Sequence, residues 1–538
     1  MNMYKQTSEI KKKPKLYLKR IKFNDNTELQ LDKNSIIVFT GANNCGKSQI
    51  LKDIELCFNK SAYKAPIVIK ESECEYLGAI DEDSFIEEHF KRNAQGMYQP
   101  LGGSSSYSKE VLNIHWKDQR IDEDLCKIFV NRLSTEIRLS SSNALIRNDY
   151  PEQNPIYKLN KNERLAQTIS DYFYQAFESD LVVNRNDMQT IPLHVGKAPN
   201  KKEYTIDRQD DYYKQVAELP KLQEQGDGMR SFASILLNTF TSDYSMTLID
   251  EPEAFLHPPQ SRVLGKMLAN NNPDDRQLIV STHSEDFLQG LLDANSANVI
   301  VIRINRESNI NRMSVLKNER IKELWGNPIL RYSNVLSGLF HEKVVVCESD
   351  YDCLFYHAIM TAIYEEKGEI SPDVLFTHCG GKSRMKDIVN ALRAINVPVV
   401  AICDFDILNA SQNLKPLVDA FKIDWKKTIS ENMKIIYDSM NAKNSRGSDA
   451  WQQIKKIGKA GFTGKEPVAY EAVEKVCKAA GLFVVPVGEM ECFDKTVNKE
   501  KKDWVYHVLE QYDLKTEQKL EDARKFVQAV IDFKLSDS

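Results

Sequence analysis

A run of apolar and β-branched residues, Ile36-Ile37-Val38-Phe39-Thr40, leads directly into Gly41-Ala42-Asn43-Asn44-Cys45-Gly46-Lys47-Ser48, a GxxxxGKS loop. No other feature constrains the fold as strongly, because such a loop works only between a strand and a helix, and the helix-compatible stretch Gln49 to Phe58 follows it. Gly41 and Gly46 let the backbone curl so that successive N–H groups point at phosphate oxygens. Lys47 reaches the outer phosphates and Ser48 offers a hydroxyl to Mg²⁺. Gly41, Asn44, Gly46, Lys47 and Ser48 are the expected nucleotide contacts.

The 538 residues exceed what one hydrophobic core organises, and 42% apolar residues suffice to fill two to four domains. No run of about eighteen apolar residues occurs, and the lysine-rich start (Lys5, Lys11, Lys12, Lys13, Lys15) lacks the apolar centre of a signal peptide. A cytoplasmic protein without membrane partners is expected. The ten cysteines show neither paired nor zinc-ligand spacing. The net charge of −5 hides a basic stretch from Ser411 to Glu466, where 11 Lys/Arg stand against 6 Asp/Glu. With Trp425, Trp451 and Phe462 among its lysines, this stretch admits two readings: a phosphate-tracking, base-stacking surface, or a solvated helical face with core aromatics.

Downstream, Met246-Thr247-Leu248-Ile249-Asp250-Glu251-Pro252-Glu253 is an apolar strand ending in adjacent carboxylates. Asp250 is expected in the Mg²⁺ shell, and Glu251 is placed to polarise the water that attacks the γ phosphate. A further strand, Leu278 to Ser281, presents His283 as a γ-phosphate contact. Between loop and acidic strand, Gln225-Gly226-Asp227-Gly228-Met229-Arg230-Ser231 opens a helix with exposed backbone donors.

In this order the motifs resemble the head of ABC-type ATPases, in particular the RecF and structural-maintenance-of-chromosomes branch. Gln225 replaces the serine usual before the first signature glycine, and Ser231 remains available. The resemblance implies that Gly226, Gly228 and Ser231 of one subunit close over ATP held by another, hence a homodimer or higher oligomer through the heads. The interval from Leu51 to Gln225 carries no sustained apolar heptads, which excludes long coiled-coil arms, and stretches such as Asn162 to Ser179 predict an inserted helical lobe, a candidate dimerising element.

After Gly338 the rhythm changes. Lys343 to Cys347 is a strand ending at Glu348, followed by a helix beginning near Asp350. Val374 to Thr377 leads to Gly380-Gly381-Lys382, and Val397 to Cys403 ends at Asp404-Phe405-Asp406. Parallel strands linked by helices bring their C-terminal ends to one edge, so Glu348, Asp352, Asp404 and Asp406 should converge there. Carboxylates alone, without His or Cys, select Mg²⁺ or Mn²⁺. Gly481 to Glu491 predicts another strand with Glu489 and Glu491 at its tip, either completing a second metal position or capping the next helix.

This second segment resembles a TOPRIM domain, with Ser349 in place of the usual glycine after the first glutamate. An ABC-type head followed by TOPRIM resembles the OLD (overcoming lysogenization defect) family of ATP-dependent nucleases, which includes the Gabija nuclease subunit and retron-associated OLD-like effectors. The fold implied is α/β: an ABC-type P-loop ATPase head over 1–337, with the insertion within 51–225, then a TOPRIM nuclease domain over 338–538 with the basic insertion 411–466. The resemblance implies an ATPase and Mg²⁺- or Mn²⁺-dependent DNA endonuclease with ATP-gated cleavage in antiphage defence. Two ions about 4 Å apart would sit on Glu348, Asp352, Asp404, Asp406, Glu489 and Glu491, while Ser48 and Asp250 serve the nucleotide's Mg²⁺. Glu348 is a ligand or a general base. Lys382, or a lysine near Lys495 to Lys502, neutralises the reacting phosphate. Expected partners are phage or plasmid DNA, a second copy, and a defence-system protein or retron RNA and DNA. The alternative is a non-cleaving ATP-gated nucleic-acid clamp or sensor. Topoisomerase chemistry is disfavoured, because no tyrosine stands in a recognisable catalytic setting.

Overall fold

The computed structural model describes residues 13–59, 64–146, 154–200, 209–294, 298–307, 310–316, 326, 335–444 and 449–534. The chain divides into two compact units, Met1–Lys322 and Glu323–Ser538. No helix among the described residues is long and apolar enough to cross a membrane. All ten cysteines are free thiols.

The first unit is built on a six-stranded sheet in the order Ile310–Leu316, Val299–Glu307, Ile36–Gly41, Gln277–Ser281, Met246–Asp250, Val130–Leu133. Every neighbouring pair is parallel except the terminal hairpin Val299–Leu316. The central strands are buried along their whole length, which explains why they read as unbroken apolar runs rather than alternating ones. A three-stranded antiparallel sheet, Glu28–Gln30, Lys15–Phe23 and Ile69–Leu77, packs against it through one core that includes Phe23, Phe39, Ile54 and Phe129. Gln277 ties the two sheets: its side-chain oxygen accepts Leu18 N–H at 2.9 Å and its amide donates to Leu18 O at 2.8 Å and Asp32 O at 2.9 Å. A buried amide so satisfied carries little penalty and fixes register.

The interval between the glycine loop and Gln225 mixes strands with the helices that its sequence suggests. It contributes Ile69–Leu77 and Val130–Leu133 to the two sheets of the first unit, and adds short hairpins as well as helices. The helix expected near Asn162 does form, as Glu163–Phe177, with Asn162 capping Leu165 N–H. It buries Ile169 and Phe173, and Phe173 and Phe177 meet Phe232 of the signature helix Asp227–Phe240 edge-on.

The second unit holds a four-stranded, wholly parallel sheet in the order Val374–His378, Lys343–Cys347, Val399–Cys403, Leu482–Val484. The strand at Leu482 is shorter than the apolar run suggests, since Pro486 and Gly488 turn the chain after it. Helix Asp350–Lys367 covers one face, started by a reciprocal Ser349/Asp352 capping box. The C-terminal helix Glu521–Asp532 packs on it, placing Phe526 beside Tyr356 and Phe483. The basic stretch folds into helices Ser411–Ala420, Ser430–Asn444 and Ala450–Ile457, which pack against helix Lys382–Ala394, helix Glu466–Ala480 and the turn Phe405–Asn409. Phe462 is buried against Phe405 and Tyr470, so its role is packing and not base stacking.

Candidate functional site

In the first unit the nucleotide loop is shaped by close approaches. Gly41 and Gly46 both hold positive φ, and a Cβ on Gly41 would lie 2.3 Å from Ile304 O. Asn311, from the terminal hairpin, donates to Cys45 O at 2.5 Å and would lie 2.8 Å from a Cβ on Gly46. Asn44, exposed and left-handed at φ 60°, completes the curl. Lys47 opens helix Lys47–Phe58 and donates to Gly41 O at 2.8 Å and Ala42 O at 2.7 Å. Burial pulls its ammonium below the usual lysine range.

Ser48 Oγ donates to Asp250 Oδ1 at 3.0 Å, and Ser281 Oγ donates to the same oxygen. A strand-end carboxylate facing two hydroxyls suits Mg²⁺ carried by a nucleotide, and Ser48 and Asp250 would hold it. Glu251 follows in the left-handed region, φ 48°, a conformation that costs a non-glycine residue about 1–3 kcal/mol. Its backbone is held on both sides: its N–H donates to Ser281 O at 2.9 Å, and its carbonyl accepts from Arg138 Nη2 at 2.9 Å. Its carboxylate stands 3.4 Å from His283 Nε2. Burial, then Lys47, lowers the His283 pKa to about 4, so the ring is neutral near pH 7. Burial raises Glu253 to about 6 while its Oε1 accepts His283 N–H at 2.7 Å.

Arg138, absent from the sequence reading, is the structural centre of this site. Fully buried in helix Thr135–Ser140, its guanidinium donates to Asp250 O at 2.5 Å, Glu251 O at 2.9 Å and Ser231 Oγ at 3.0 Å. Ser231 is therefore not available to a second subunit: it is fully buried and turned inward on Arg138. Gly228 also has a local reason, because a Cβ there would lie 2.6 Å from Phe255 O. Gly226, the N-cap of the signature helix, is exposed with open space where a Cβ would be.

In the second unit the strand tips do converge. Glu348 Oε1 accepts the backbone N–H of Asp404 at 3.2 Å across neighbouring strands. Burial, and then the charges of Glu348, Asp352, Glu489 and Asp406, push the Asp404 carboxyl well above its ordinary range. Burial raises Glu348 to about 7 against the opposing pull of Lys382. Asp352 is raised by burial while its Oδ2 accepts both Ser349 N–H and Oγ–H at 2.9 Å. Lys382 Nζ stands 2.7 Å from Asp406 Oδ2, whereas Lys499 Nζ lies 3.5 Å from His507 Nδ1. Glu491 accepts the N–H of Lys501, the first residue of helix Lys501–Gln511, at 2.6 Å, so it caps that helix as the alternative reading allowed. Glu489 Oε1 is 2.6 Å from Lys455 Nζ, which sequence reasoning missed although the basic stretch contained it.

Among the described residues no three carboxylates form a preformed ligand shell, and lysines engage Asp406 and Glu489. The donors nevertheless suit a hard divalent cation. They are oxygen-only, they repel one another, and Asp406 Oδ1 is buried without a hydrogen-bond partner. Glu348, Asp404 and Asp406 would hold such an ion, with Asp352 and Glu489 beside them.

Comparison with known proteins follows the same division. Residues 138–288 match the family model "AAA domain, putative AbiEii toxin, Type IV TA system", and residues 339–406 match "Overcoming lysogenization defect protein-like, TOPRIM domain". The Old nuclease of Escherichia phage P2 is 29% identical over 171 residues, 30% of this chain and 28% of that protein. The OLD nuclease of Thermus scotoductus is 26% identical over 171 residues, 30% of each. Over these stretches the chain is similar to an ATPase domain, to the OLD-like TOPRIM domain and to two OLD nucleases. Its alignment spans less than a third of the length of these OLD relatives. Among solved structures, an SMC head domain from Thermotoga maritima aligns with 56% of the OLD-like chain and 99% of its own, at 12% identity and a TM-score of 0.29. An Smc head domain with an extended coiled coil, bound to the C-terminal domain of ScpA derived from Pyrococcus furiosus, aligns with 58% of this chain and 99% of its own, at 11% identity and a TM-score of 0.33.

Proposed function

We propose that this protein is an ATP-binding and ATP-hydrolysing, Mg²⁺- or Mn²⁺-dependent DNA endonuclease of the OLD type, a cytoplasmic antiphage effector whose cutting is gated by nucleotide in dimerised heads. The observation that carries the reading is the approach of Glu348 to Asp404 at the tips of neighbouring parallel strands, with Asp406 and Lys382 beside them. A divalent ion bound there would activate water and stabilise the leaving oxygen of a phosphodiester. The chain's own residues have separable tasks. Glu348, with a pKa near 7, is suited to hold or release a proton close to neutrality, as ligand or as general base. Lys382 is placed to pair with a phosphate oxygen once Asp406 turns to a cation.

In the first unit, Lys47 exchanges the carbonyls of Gly41 and Ala42 for nucleotide phosphates, and Glu251 orients water with neutral His283 next to it. The exposed Gly226 end of the signature helix remains the element for a second copy; Gly228 and Ser231 support it from within. The head extends to residue 337 in this reading. The partner that triggers cutting is a defence-system protein or a retron RNA–DNA species.

One observation favours a non-cleaving ATP-gated clamp instead: Asp406 and Glu489 are already neutralised by lysines. Plasmid incubated with the full chain and Mn²⁺, with and without ATP, separates the two. Nicked or linear product supports the nuclease, and intact plasmid at saturating protein supports the clamp.

A further inference from the structure

The basic stretch is seated on the carboxylate rim through its backbone. Helix Ala450–Ile457 ends at Gly458, φ +59°, where the chain crosses the turn after strand Leu482–Val484. A Cβ on Gly458 would lie 2.1 Å from Pro486 O, and one on Gly488 would lie 2.3 Å from Lys455 O. Both positions admit the other segment only because they lack a side chain. Lys459 N–H closes the seam on Pro486 O at 2.9 Å.

This seat aims Lys455. Its Nζ stands 2.6 Å from Glu489 Oε1 and 3.9 Å from Asp406 Oδ2, the oxygen that Lys382 reaches from a different helix. The side chain is 43% exposed, and a half-exposed ion pair contributes little to stability. Stability alone gives little reason for so close a backbone interlock. An ammonium is a compact charge with three rotatable donors, so it exchanges a carboxylate for a phosphate oxygen without a demanding geometry. Lys456 and Lys459, both exposed, continue positive charge along the same segment.

We infer that Lys455 is a phosphate-binding residue for the nucleic-acid strand that enters the carboxylate rim, and that Gly458 and Gly488 position it there. This rests on the reading of the rim as a nuclease centre. Without substrate the ammonium rests on Glu489; with substrate it turns to the strand's backbone.

The test is binding of a short fluorescent DNA duplex to the full chain, read by anisotropy across a salt series in EDTA and again in Ca²⁺. Each phosphate contact contributes about one to the slope of log affinity against log salt, so Lys455→Ala should reduce the slope by about one and the affinity about tenfold at 0.1 M salt. Lys455→Arg should retain both. Gly458→Ala, which keeps the lysine and loses its seat, should resemble Lys455→Ala, with melting curves confirming that each variant is folded. Folded Lys455→Ala with wild-type affinity and slope overturns the inference and leaves the nuclease reading standing. A wild-type chain that binds no duplex in either condition and cuts no plasmid overturns both.

Discussion

Glu348 Oε1 accepts the backbone N–H of Asp404 at 3.2 Å, although 56 residues separate them along the chain. Two parallel strands, Lys343–Cys347 and Val399–Cys403, make this meeting inevitable once they pair in register, since each ends at the same edge. An acid that receives a backbone hydrogen bond from the next acid's residue is held close to its charge, and the consequences are measurable.

The first concerns pH. Glu348 moves from 4.5 to about 7 on folding, and Asp404 also moves upward. A group whose folded pKa is raised contributes stability below its unfolded value and loses it as pH rises through the folded value. Relative to Glu348→Gln, the metal-free wild type should therefore lose melting temperature between about pH 4.5 and 7, whatever the histidines lowered by burial add to both proteins over the same interval. A wild-type-minus-variant difference that stays constant or grows over this interval would contradict the assignment.

The second concerns Arg138. Its guanidinium joins the turn after Asp250 to the signature helix through Asp250 O, Glu251 O and Ser231 Oγ. Removing a buried, charged donor leaves those acceptors unpaired, so Arg138→Ala should cost about 2–4 kcal/mol and most ATPase activity. Arg138→Lys should recover part of the stability, because an ammonium cannot reproduce the fork. Calorimetry and phosphate release read the two effects separately.

The third concerns Lys47. Because it already bonds Gly41 O and Ala42 O, Lys47→Ala removes both the loop's internal tie and the phosphate contact. Nucleotide affinity should drop by roughly ten- to a hundredfold, the value of a charge-assisted hydrogen bond. Titration with a fluorescent ATP analogue measures it.

The fourth concerns His283. With a pKa near 4, the ring is uncharged over the neutral range, and ATP hydrolysis should show no limb at the ordinary histidine value of 6.5. A limb near 6.5 that disappears in His283→Gln would contradict the neutral-ring assignment.

Much of this molecule was legible in its sequence because apolar strands that end in acids or glycines leave a strong local pattern. The nucleotide loop, Asp250 with Glu251, and the convergence of Glu348, Asp404 and Asp406 all follow from that pattern plus the geometry of parallel sheets. Arg138, Asn311 and Lys455 were not legible, since each acts on a distant segment and no spacing marks it. Ser231 was misread for the same reason: its position in the motif gives no sign of the arginine that turns it inward. The strands interspersed in the 51–225 interval were not legible, because short strands such as Val130–Leu133 gain their identity only by pairing with Met246–Asp250.

The most direct measurement is plasmid cleavage in Mn²⁺ by wild type, Asp404→Ala and Lys47→Ala, with phosphate release followed in the same tubes. Wild type should cut, Asp404→Ala should release phosphate from ATP without cutting, and Lys47→Ala should lose ATP hydrolysis together with nucleotide control of cleavage. Undiminished cutting by Asp404→Ala would contradict the claim that the strand-tip carboxylates are the nuclease centre.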